Sequence, residues 1–329
     1  MRKKIIALCI AVILVCMVLL IREDHPGKKE SVEEKKGLTV AVSQVEPLTP
    51  WKTAQLNSLM EAAAEREITL LYHTPQEETV SWQINDIKEL FHEDIDYLIL
   101  IPKERTGYDQ VLEEAKQRGI PVILAQQKVE QDPEEEENEY LSYVGSDYFK
   151  EGELCANMLS EYFGIRACKI MVIQGEKSSF MSWDRYRGFM QGIRDHSNLY
   201  ISKKVESSSD RLTAQKMTEL TLAEDGIDFN AVFAPSDEEG LGVLQALKLA
   251  GVKPGKDMTL VSIEGIQDVL KAIIAQEYMA TVKSDPECGD IIFDLIEKDR
   301  EGKTVSKEVL LPNDIYTGNN AEERFQYGY

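Results

Sequence analysis

The sequence has few cysteines, few histidines and a marked shortage of basic residues. Of its 329 residues, 37 are Lys or Arg and 58 are Asp or Glu, so the formal net charge is -21. A protein this acidic repels the phosphate backbone of nucleic acids, and we therefore predict no nucleic-acid partner. The four histidines are scattered, and neither an HExxH motif nor a Cys/His metal spacing occurs, so we predict no metal site.

Only three of the five cysteines, Cys155, Cys168 and Cys288, lie outside the first 21 residues. Three cysteines cannot build the disulfide framework that holds small secreted domains together. A single Cys155–Cys168 disulfide and a set of buried thiols both remain open, and buried thiols are the simpler interpretation.

Motifs for catalysis are missing as well. There is no GxSxG elbow, and Gly302-Lys303-Thr304 resembles only the end of a phosphate-binding loop. This stretch follows a helical pattern rather than a strand, and no glycine stands five residues before Gly302. Because no nucleophile, base or cofactor loop is recognisable, the sequence predicts neither an enzyme nor a cofactor.

The one long hydrophobic run stands at the N-terminus. Residues 5–21 are 17 unbroken apolar residues after three cations, and such a helix is about 25 Å long, just able to cross a bilayer core. No A-x-A-like cleavage site precedes Arg22, and Cys16 lacks the small residue before it that a lipoprotein needs, so an uncleaved anchor is favoured while cleavage stays open. The positive-inside rule then predicts an extracytoplasmic protein, tethered to the outer face of the membrane by the charged segment 22–37, or secreted if residues 1–21 are removed.

Beyond residue 37, strand-like and helix-like segments alternate. Strands are predicted over 38–42, 68–72, 96–101, 121–125, 168–173, 199–205, 230–234, 258–263 and 278–283, and helices over 51–66, 82–93, 108–118, 147–162, 183–195, 210–222, 237–251, 266–276 and 287–300. Repeated βαβ units of this kind predict parallel, doubly wound sheets, and nine strands are too many for one such sheet. The predicted fold is therefore α/β with two lobes, divided near 126–146, where the acidic run 130–139 predicts a solvated loop.

The first helix has an unusual start. Thr49 is suited to its N-cap and Pro50 to its first position. Apolar residues at helical spacing predict a core-facing side formed by Leu56, Leu59, Met60 and Ala63. Trp51 lies outside this side, at the mouth of a strand-to-helix turn, where it has no obvious role in the core.

Two doubly wound lobes bind a ligand where the carboxyl ends of their strands face each other. The loops at these ends carry an aromatic side chain, planar amides, carboxylates and an arginine, a mixture that suits a sugar because rings stack on its C–H face while polar groups bind its hydroxyls. Simpler roles stay open: Trp51 as the cover of a helix end, Arg185 as a surface partner of Asp184 or Glu176, and Asp237 as a favourable charge at a helix N-terminus.

From Leu38 to Tyr329 the sequence resembles the type I periplasmic binding proteins of sugar importers. The branch is the ribose-binding-like one, and the similarity is greatest to the galactofuranose-binding proteins of ABC importers. The stretches that carry the resemblance are 41–55 (AVSQVEPLTPWKTAQ), 106–124, 143–152 (YVGSDYFKEG), 173–189 (IQGEKSSFMSWDRYRGF), 231–257, 262–265 (SIEG) and 328–329. The family implies two lobes joined by three crossovers, near 145–147, Ser284 and Pro312. The domains would then be a signal or anchor with its tether (1–37), an N-lobe (38–146 plus 285–311) and a C-lobe (147–284 plus 312–329).

The resemblance also implies ligand-binding residues. Trp51 matches the cleft aromatic of the family and Lys52 its usual arginine neighbour, while Asp184 and Arg185 match an Asp-Arg pair in the second lobe. The other predicted positions depart from the family pattern: Gln126 and Gln127 for Asp-Arg, Ser236, Asp237 and Glu238 for Asn-Asp-Asp, Glu264 for Asp, and Ser209 for an aromatic residue. We therefore expect the ligand to differ from those of the known members, with Trp51, Lys52, Gln126, Gln127, Asp184, Arg185, Ser236, Asp237 and Glu264 as the binding set.

The predicted function is that of an extracytoplasmic solute-binding protein for a monosaccharide or related polyol. Its membrane partner would be the permease of an ABC importer or the ectodomain of a sensor histidine kinase. Two alternatives stay open: a LacI-like ligand-responsive regulator without its DNA-binding headpiece, and a degenerate binding protein with only a protein partner. An apolar segment stands where such a regulator would carry its headpiece.

Overall fold

A computed structural model describes residues 37–45, 49–73, 77, 79–130, 140–176, 179–208 and 210–329. It separates Met1–Gly37 from the compact unit Leu38–Tyr329. The predicted signal or anchor, almost all of the tether, nearly the whole acidic loop and Ser209 lie outside the described residues. In the ranges given above, no helix combines the length and the hydropathy needed to cross a membrane.

The described strands form two separate sheets. The first contains β1 (Thr39–Ser43), β2 (Thr69–His73), β3 (Tyr97–Leu100), β4 (Val122–Ala125), β5 (Ser142–Ser146) and β11 (Glu308–Leu311), in the order β11-β5-β4-β3-β1-β2 and all parallel. The second contains β6 (Cys168–Gln174), β7 (Leu199–Glu206), β8 (Ala231–Phe233), β9 (Thr259–Glu264), β10 (Ala280–Lys283) and β12 (Ile315–Thr317), in the order β12-β10-β9-β8-β6-β7. Only β12 runs antiparallel to its neighbour within the described part of this sheet.

Helices cover both faces of each sheet. They are α1 (Pro50–Glu65), α2 (Val80–Leu90), α3 (Asp109–Arg118), α4 (Tyr148–Phe163), α5 (Phe180–Asp195), α6 (Arg211–Asp225), α7 (Asp237–Leu249), α8 (Gln267–Ile274), α9 (Gly289–Arg300) and α10 (Ala321–Arg324). In β1, Val40 and Val42 enter one hydrophobic cluster while Ala41 enters another on the opposite face. Burial on both faces explains why the central strands are unbroken apolar runs in the sequence.

The structure contains three strands that the sequence did not predict. Strands β5, β11 and β12 were not predicted, and β5 continues the first sheet to Ser146, within the break that the sequence placed over 126–146. The sequence of β5, SYVGS, is short and half polar, and its burial becomes apparent only when β4 and β11 flank it. β11 and β12 are four and three residues long, too short to show a period in the sequence.

Helix α1 begins as predicted, but it buries a different side. The Thr49 hydroxyl accepts a hydrogen bond from the Lys52 amide, and Pro50 occupies the first turn. Met60 is 52% exposed, so its predicted place in the core is wrong. The buried residues of the helix are Trp51, Gln55, Leu56, Leu59, Ala62 and Ala63. The buried side therefore begins at Trp51, because the start of α1 faces the second lobe across the cavity between the lobes.

The chain passes between the sheets three times. It leaves the first sheet after Ser146, returns after Lys283 through α9, and crosses again between β11 and β12. α9 packs against α1, and its residues Ile292 and Phe293 join the core of the first lobe. We propose that the N-lobe contains residues 38–146 and 285–311 and that the C-lobe contains residues 147–284 and 312–329. The crossings bring the carboxyl ends of both sheets to a common cleft.

Candidate functional site

A small cavity lies between the two lobes. Thr49, Trp51 and Lys52 line it from the first lobe, and the lining of the second lobe includes Ser236 and Glu264. Its volume is about 60 Å³, whereas pockets for small ligands usually measure roughly 300–1,000 Å³. The lobes also touch beside it, since the Ser179 hydroxyl lies 3.4 Å from the Gln127 side-chain oxygen. The lobes must therefore part before a ligand of monosaccharide size can enter.

Trp51 is held at the wall of this cavity. Its side chain is only 5% exposed, and its indole N–H donates a hydrogen bond of 2.6 Å to the carbonyl oxygen of Ser284, on the second crossover. The N-cap at Thr49 fixes the direction in which α1 enters the cleft, so the tryptophan is placed by local sequence. A ring whose polar edge is already satisfied offers its apolar surface to the cleft.

Arg185 is completely buried behind the cavity. Its Nε donates to the Glu151 carboxylate at 2.7 Å and its Nη1 to the carbonyl oxygen of Pro235 at 2.9 Å. Nη1 also lies 3.6 Å from Glu264 Oε1, and the guanidinium carbon lies 5.2 Å from the Tyr148 ring centre. Among the described atoms, its Nη2 has no hydrogen-bond partner. The surface pairing of Arg185 with Asp184 or Glu176 that the sequence left open does not occur.

Glu264 links Arg185 to the cavity. It has a φ of 133°, a backbone conformation that is costly for a residue with a side chain and that is concentrated at functional sites. Its carboxyl is 11% exposed, and burial, opposed by the charge of Arg185, raises its pKa to about 8. At neutral pH the carboxyl is mostly protonated, so it can both donate and accept a hydrogen bond.

Asp237 has a structural role inside the second lobe. One carboxylate oxygen accepts hydrogen bonds from the hydroxyls of Ser262 and Thr281, and the other accepts from the amides of Gly265 and Ile266. These four donors hold the loop after β9, and thereby Glu264, in position. Asp237 is fully buried and does not line the cavity as the structure describes it.

Gln126, Gln127 and Asp184 also lie away from the cavity lining that the described residues form. The Gln126 amide donates to the carbonyl of Asp285 at 3.0 Å and its oxygen accepts from the Tyr148 hydroxyl at 2.8 Å, so it ties the crossovers together. The side chain of Asp184 is only 14% exposed and pairs with Arg187 at 2.8 Å, within α5. Of the predicted set, the structure therefore brings Trp51, Lys52, Ser236 and Glu264 to the cavity, with Arg185 directly behind them.

Ser236 combines capping with a place in the cavity wall. Its hydroxyl accepts from the Glu239 amide at 3.2 Å and donates to the Glu239 carboxylate at 2.9 Å, which starts α7. A serine hydroxyl has two lone pairs, so Ser236 can still accept one hydrogen bond from a ligand while it caps α7.

The charges around the cavity come in opposite pairs. Glu238 pairs with Arg211 at 2.7 Å, and Glu176 lies 3.6 Å from Lys103 of the first lobe. The positive charge of Lys52 acts on Glu264 from across the cleft. Because Glu238 and Glu176 are paired with basic side chains and Glu264 is mostly protonated at neutral pH, we expect the site to favour a neutral ligand over a cationic one.

Sequence reasoning missed the residues that support the site. Glu151, in the first turn of α4, is fully buried against Arg185, and its Oε1 accepts a hydrogen bond of 2.9 Å from Asn313, on the third crossover. Burial raises the pKa of Glu151, an effect opposed by Arg185 and by the hydroxyls of Ser284 and Ser146. The only hint in the sequence was a glutamate on the side of α4 that also carries Cys155 and Leu159.

The cysteines that the sequence left open are not paired. Cys155, Cys168 and Cys288 are buried free thiols.

Known proteins share this architecture. A family profile described as periplasmic binding protein domain matches residues 40–304. The galactofuranose-binding protein YtfQ of Escherichia coli (strain K12) is 29% identical over 292 residues, which are 88% of this chain and 91% of that protein. The ribose import binding protein RbsB of Bacillus subtilis (strain 168) is 26% identical over the same shares of the two chains.

Solved structures of sugar-binding proteins have the same fold as this chain. The crystal structure of a galactofuranose binding protein has a TM-score of 0.82 and 29% identity, covering 88% of this chain and 97% of that one. The periplasmic component of the arabinose ABC transporter from Shewanella sp. ANA-3 has a TM-score of 0.82 and 30% identity, covering 88% and 95%. The predicted fold and family are confirmed, and these relatives are solute-binding proteins rather than enzymes. The chain belongs to the periplasmic binding protein domain family, whose members bind solutes outside the cytoplasm.

Proposed function

We propose that this protein binds a neutral sugar or related polyhydroxylated ligand between its two lobes and presents it to a membrane protein. The observation that carries the proposal is the cavity, which combines an aromatic wall at Trp51 with hydrogen-bonding groups from the second lobe. Paired charges around it suit a neutral ligand. Relatives named for galactofuranose, ribose and arabinose support the class of ligand.

Within the site we assign three kinds of role. Trp51 stacks on the ring, while Lys52, Arg185, Ser236 and Glu264 hydrogen-bond the hydroxyls. Nη2 of Arg185 is a buried charged donor without a partner, and leaving such a group unpaired is costly, so a ligand hydroxyl gains by accepting from it. Gln126, Gln127, Asp184 and Asp237 shape the crossovers and the lobe surfaces around the site.

We further propose that the ligand is not galactofuranose or ribose. Gln126 and Gln127 stand where the family has an Asp-Arg pair, and charge-assisted hydrogen bonds are worth about 1.5–3 kcal/mol against about 1 for neutral ones. Glu264 is also one methylene longer than the usual aspartate. A site built for hydroxyls at fixed spacing rejects ligands that leave its buried polar groups unpaired.

A thermal-shift screen of the full chain tests the binding function. The panel would contain galactose, arabinose, ribose, fructose, xylitol and myo-inositol, because saturation at 100 times the dissociation constant stabilises the folded state by about 2.7 kcal/mol. Calorimetry would then compare the wild type with Trp51→Ala and Arg185→Ala for each hit. Trp82→Ala and Arg187→Ala are matched controls, since both side chains lie on helices away from the cavity.

We expect the two cleft variants to lose at least tenfold in affinity and the two controls to bind normally. Equal affinity in all five proteins would show that the site lies elsewhere. Tight binding of galactose or ribose would refute the proposed change of specificity but would leave sugar binding standing.

The partner that receives the ligand defines two candidate functions. Delivery to an ABC importer follows the named relatives, which are import components. Ligand sensing for a membrane kinase is the second candidate, because the apolar run 5–21 would hold an uncleaved protein beside a fixed partner. Co-purification from native membranes with a permease or with a kinase distinguishes them.

A further inference from the structure

One buried hydrogen-bond network joins the cleft arginine to all three crossovers. Its centre is Glu151, whose Oε2 accepts from Arg185 at 2.7 Å and whose Oε1 accepts from Asn313 at 2.9 Å. Asn313 belongs to the third crossover, between β11 and β12. The two oxygens of one carboxylate therefore connect the cleft with a hinge.

The other two crossovers are part of the same network. The Ser284 hydroxyl, on the second crossover, lies 3.2 Å from the hydroxyl of Ser146, on the first. The Ser284 carbonyl accepts from Trp51 at 2.6 Å and from the Tyr329 hydroxyl at 3.1 Å. Asn313 also lies 3.4 Å from the carbonyl of Lys283, which links the third crossover to the second.

We propose that Glu151 is a positioning residue that couples the orientation of Arg185 to the opening of the two lobes. The inference rests on the proposed function, because it assumes that Arg185 serves a ligand in the cleft. Hinge bending must change the distances among Ser146, Ser284 and Asn313, since these residues lie on the three connections that bend. Glu151 cannot keep both of its partners when Asn313 moves. Opening therefore loosens Arg185, and a ligand that fixes Arg185 favours the closed arrangement.

The coupling can be measured without any ligand. Spin labels on cysteines introduced at the exposed positions Lys116 in α3 and Gln245 in α7 report the distance between the lobes. Cys9 and Cys16 would be replaced by alanine in the full chain, while the three other native thiols are buried and react poorly. The ratio of open to closed molecules follows from the distance distribution.

A double-mutant cycle combines Arg185→Lys with Asn313→Ala. The two side chains lie on opposite oxygens of Glu151, so we expect a non-additive change of at least about threefold in the open-to-closed ratio. Asn319→Ala is the control partner, because Asn319 is exposed beside the same strand, and it should combine additively with Arg185→Lys. If Arg185→Lys and Asn313→Ala also combine additively, the proposal is overturned.

A second variant keeps the proposal testable if the double variant does not fold. Asn313→Asp places a new carboxyl against Glu151 Oε1, and two such groups can share one proton at low pH but repel each other once both are ionised. The other ionisable groups that interact with Glu151 are Arg185 from α5, Tyr143 from β5, and Tyr148 and Cys155 from α4. Burial raises the pKa of the two phenols and of the thiol, so they remain neutral below pH 8.

We therefore expect Asn313→Asp, relative to the wild type, to open the lobes increasingly between pH 5 and pH 8. Asn319→Asp adds the same charge at the exposed control position and should leave the distribution unchanged. If the two variants behave alike at every pH, Glu151 does not link the hinge to the cleft. Since no ligand is present, this outcome is independent of the sugar screen, and a failed screen leaves the measured coupling unaffected.

Discussion

Replacing Glu264 by glutamine should make the stability of the protein less dependent on pH. The carboxyl of Glu264 is 11% exposed, and burial raises its pKa from the usual 4.5 to about 8. Between these two values the folded protein binds more protons at this position than the unfolded chain. The contribution of Glu264 to stability is therefore fully present below pH 4.5 and is lost as the pH rises towards 8.

The size of the effect follows from the pKa. Each pH unit inside this interval changes the free energy of unfolding by about 1.4 kcal/mol, so the span from 4.5 to about 8 corresponds to a loss on the order of 5 kcal/mol. Between pH 5 and pH 7, the wild type should lose about 2.7 kcal/mol relative to Glu264→Gln, because glutamine resembles the protonated carboxyl and cannot ionise.

Urea unfolding at pH 5, 6 and 7 measures this difference directly. Glu224→Gln serves as the control, because Glu224 is exposed near the end of α6 and its removal should shift all three values equally. A constant difference between the wild type and Glu264→Gln across this range would refute the claim that the buried carboxyl holds a proton at neutral pH.

Three further predictions concern packing, the thiols and the N-terminus. Gly152→Ala should destabilise the protein by about 1–3 kcal/mol or more in denaturant unfolding, because a Cβ at this position would lie 2.0 Å from the Arg185 carbonyl oxygen. The control Gly318→Ala should be close to neutral, because no atom lies within 4 Å of a Cβ at that position. A reducing agent should leave the melting temperature unchanged, since Cys155 and Cys168 are free thiols; a drop in melting temperature on reduction would contradict this. The intact mass of protein extracted from native membranes should include residues 1–21, and a mature chain that begins after residue 21, or a lipid on Cys16, would disprove the uncleaved anchor.

The alternation of apolar strands and amphipathic helices was sufficient to predict two α/β lobes. Both sheets bury their central strands on both faces, so the runs 97–101 and 121–125 were readable without a structure. The two edge strands β11 and β12 were not predictable, because they become strands only through pairing with β5 and β10. Their few residues contain no periodic pattern of their own.

The candidate site was predictable in position but less so in the roles of its residues. The cleft rule and the family resemblance pointed to Trp51, Arg185 and Glu264, which the structure places at or directly behind the cavity. The sequence could not show that Asp237 accepts four hydrogen bonds from the second lobe, because its donors lie 25 to 44 residues away. Glu151 was missed for the same reason, since Asn313 is 162 residues distant along the chain.

The late position of α9, β11 and β12 in the sequence has a consequence for biogenesis. Ile292 and Leu311 complete the core of the first lobe, and Tyr316 belongs to a core of the second, so neither lobe can finish folding while these residues are still unmade. Contacts that join distant parts of a chain also form slowly. We expect the nascent polypeptide to remain incompletely folded until the segment 289–317 has been synthesised, which keeps it in a state that can still be threaded through a translocation channel.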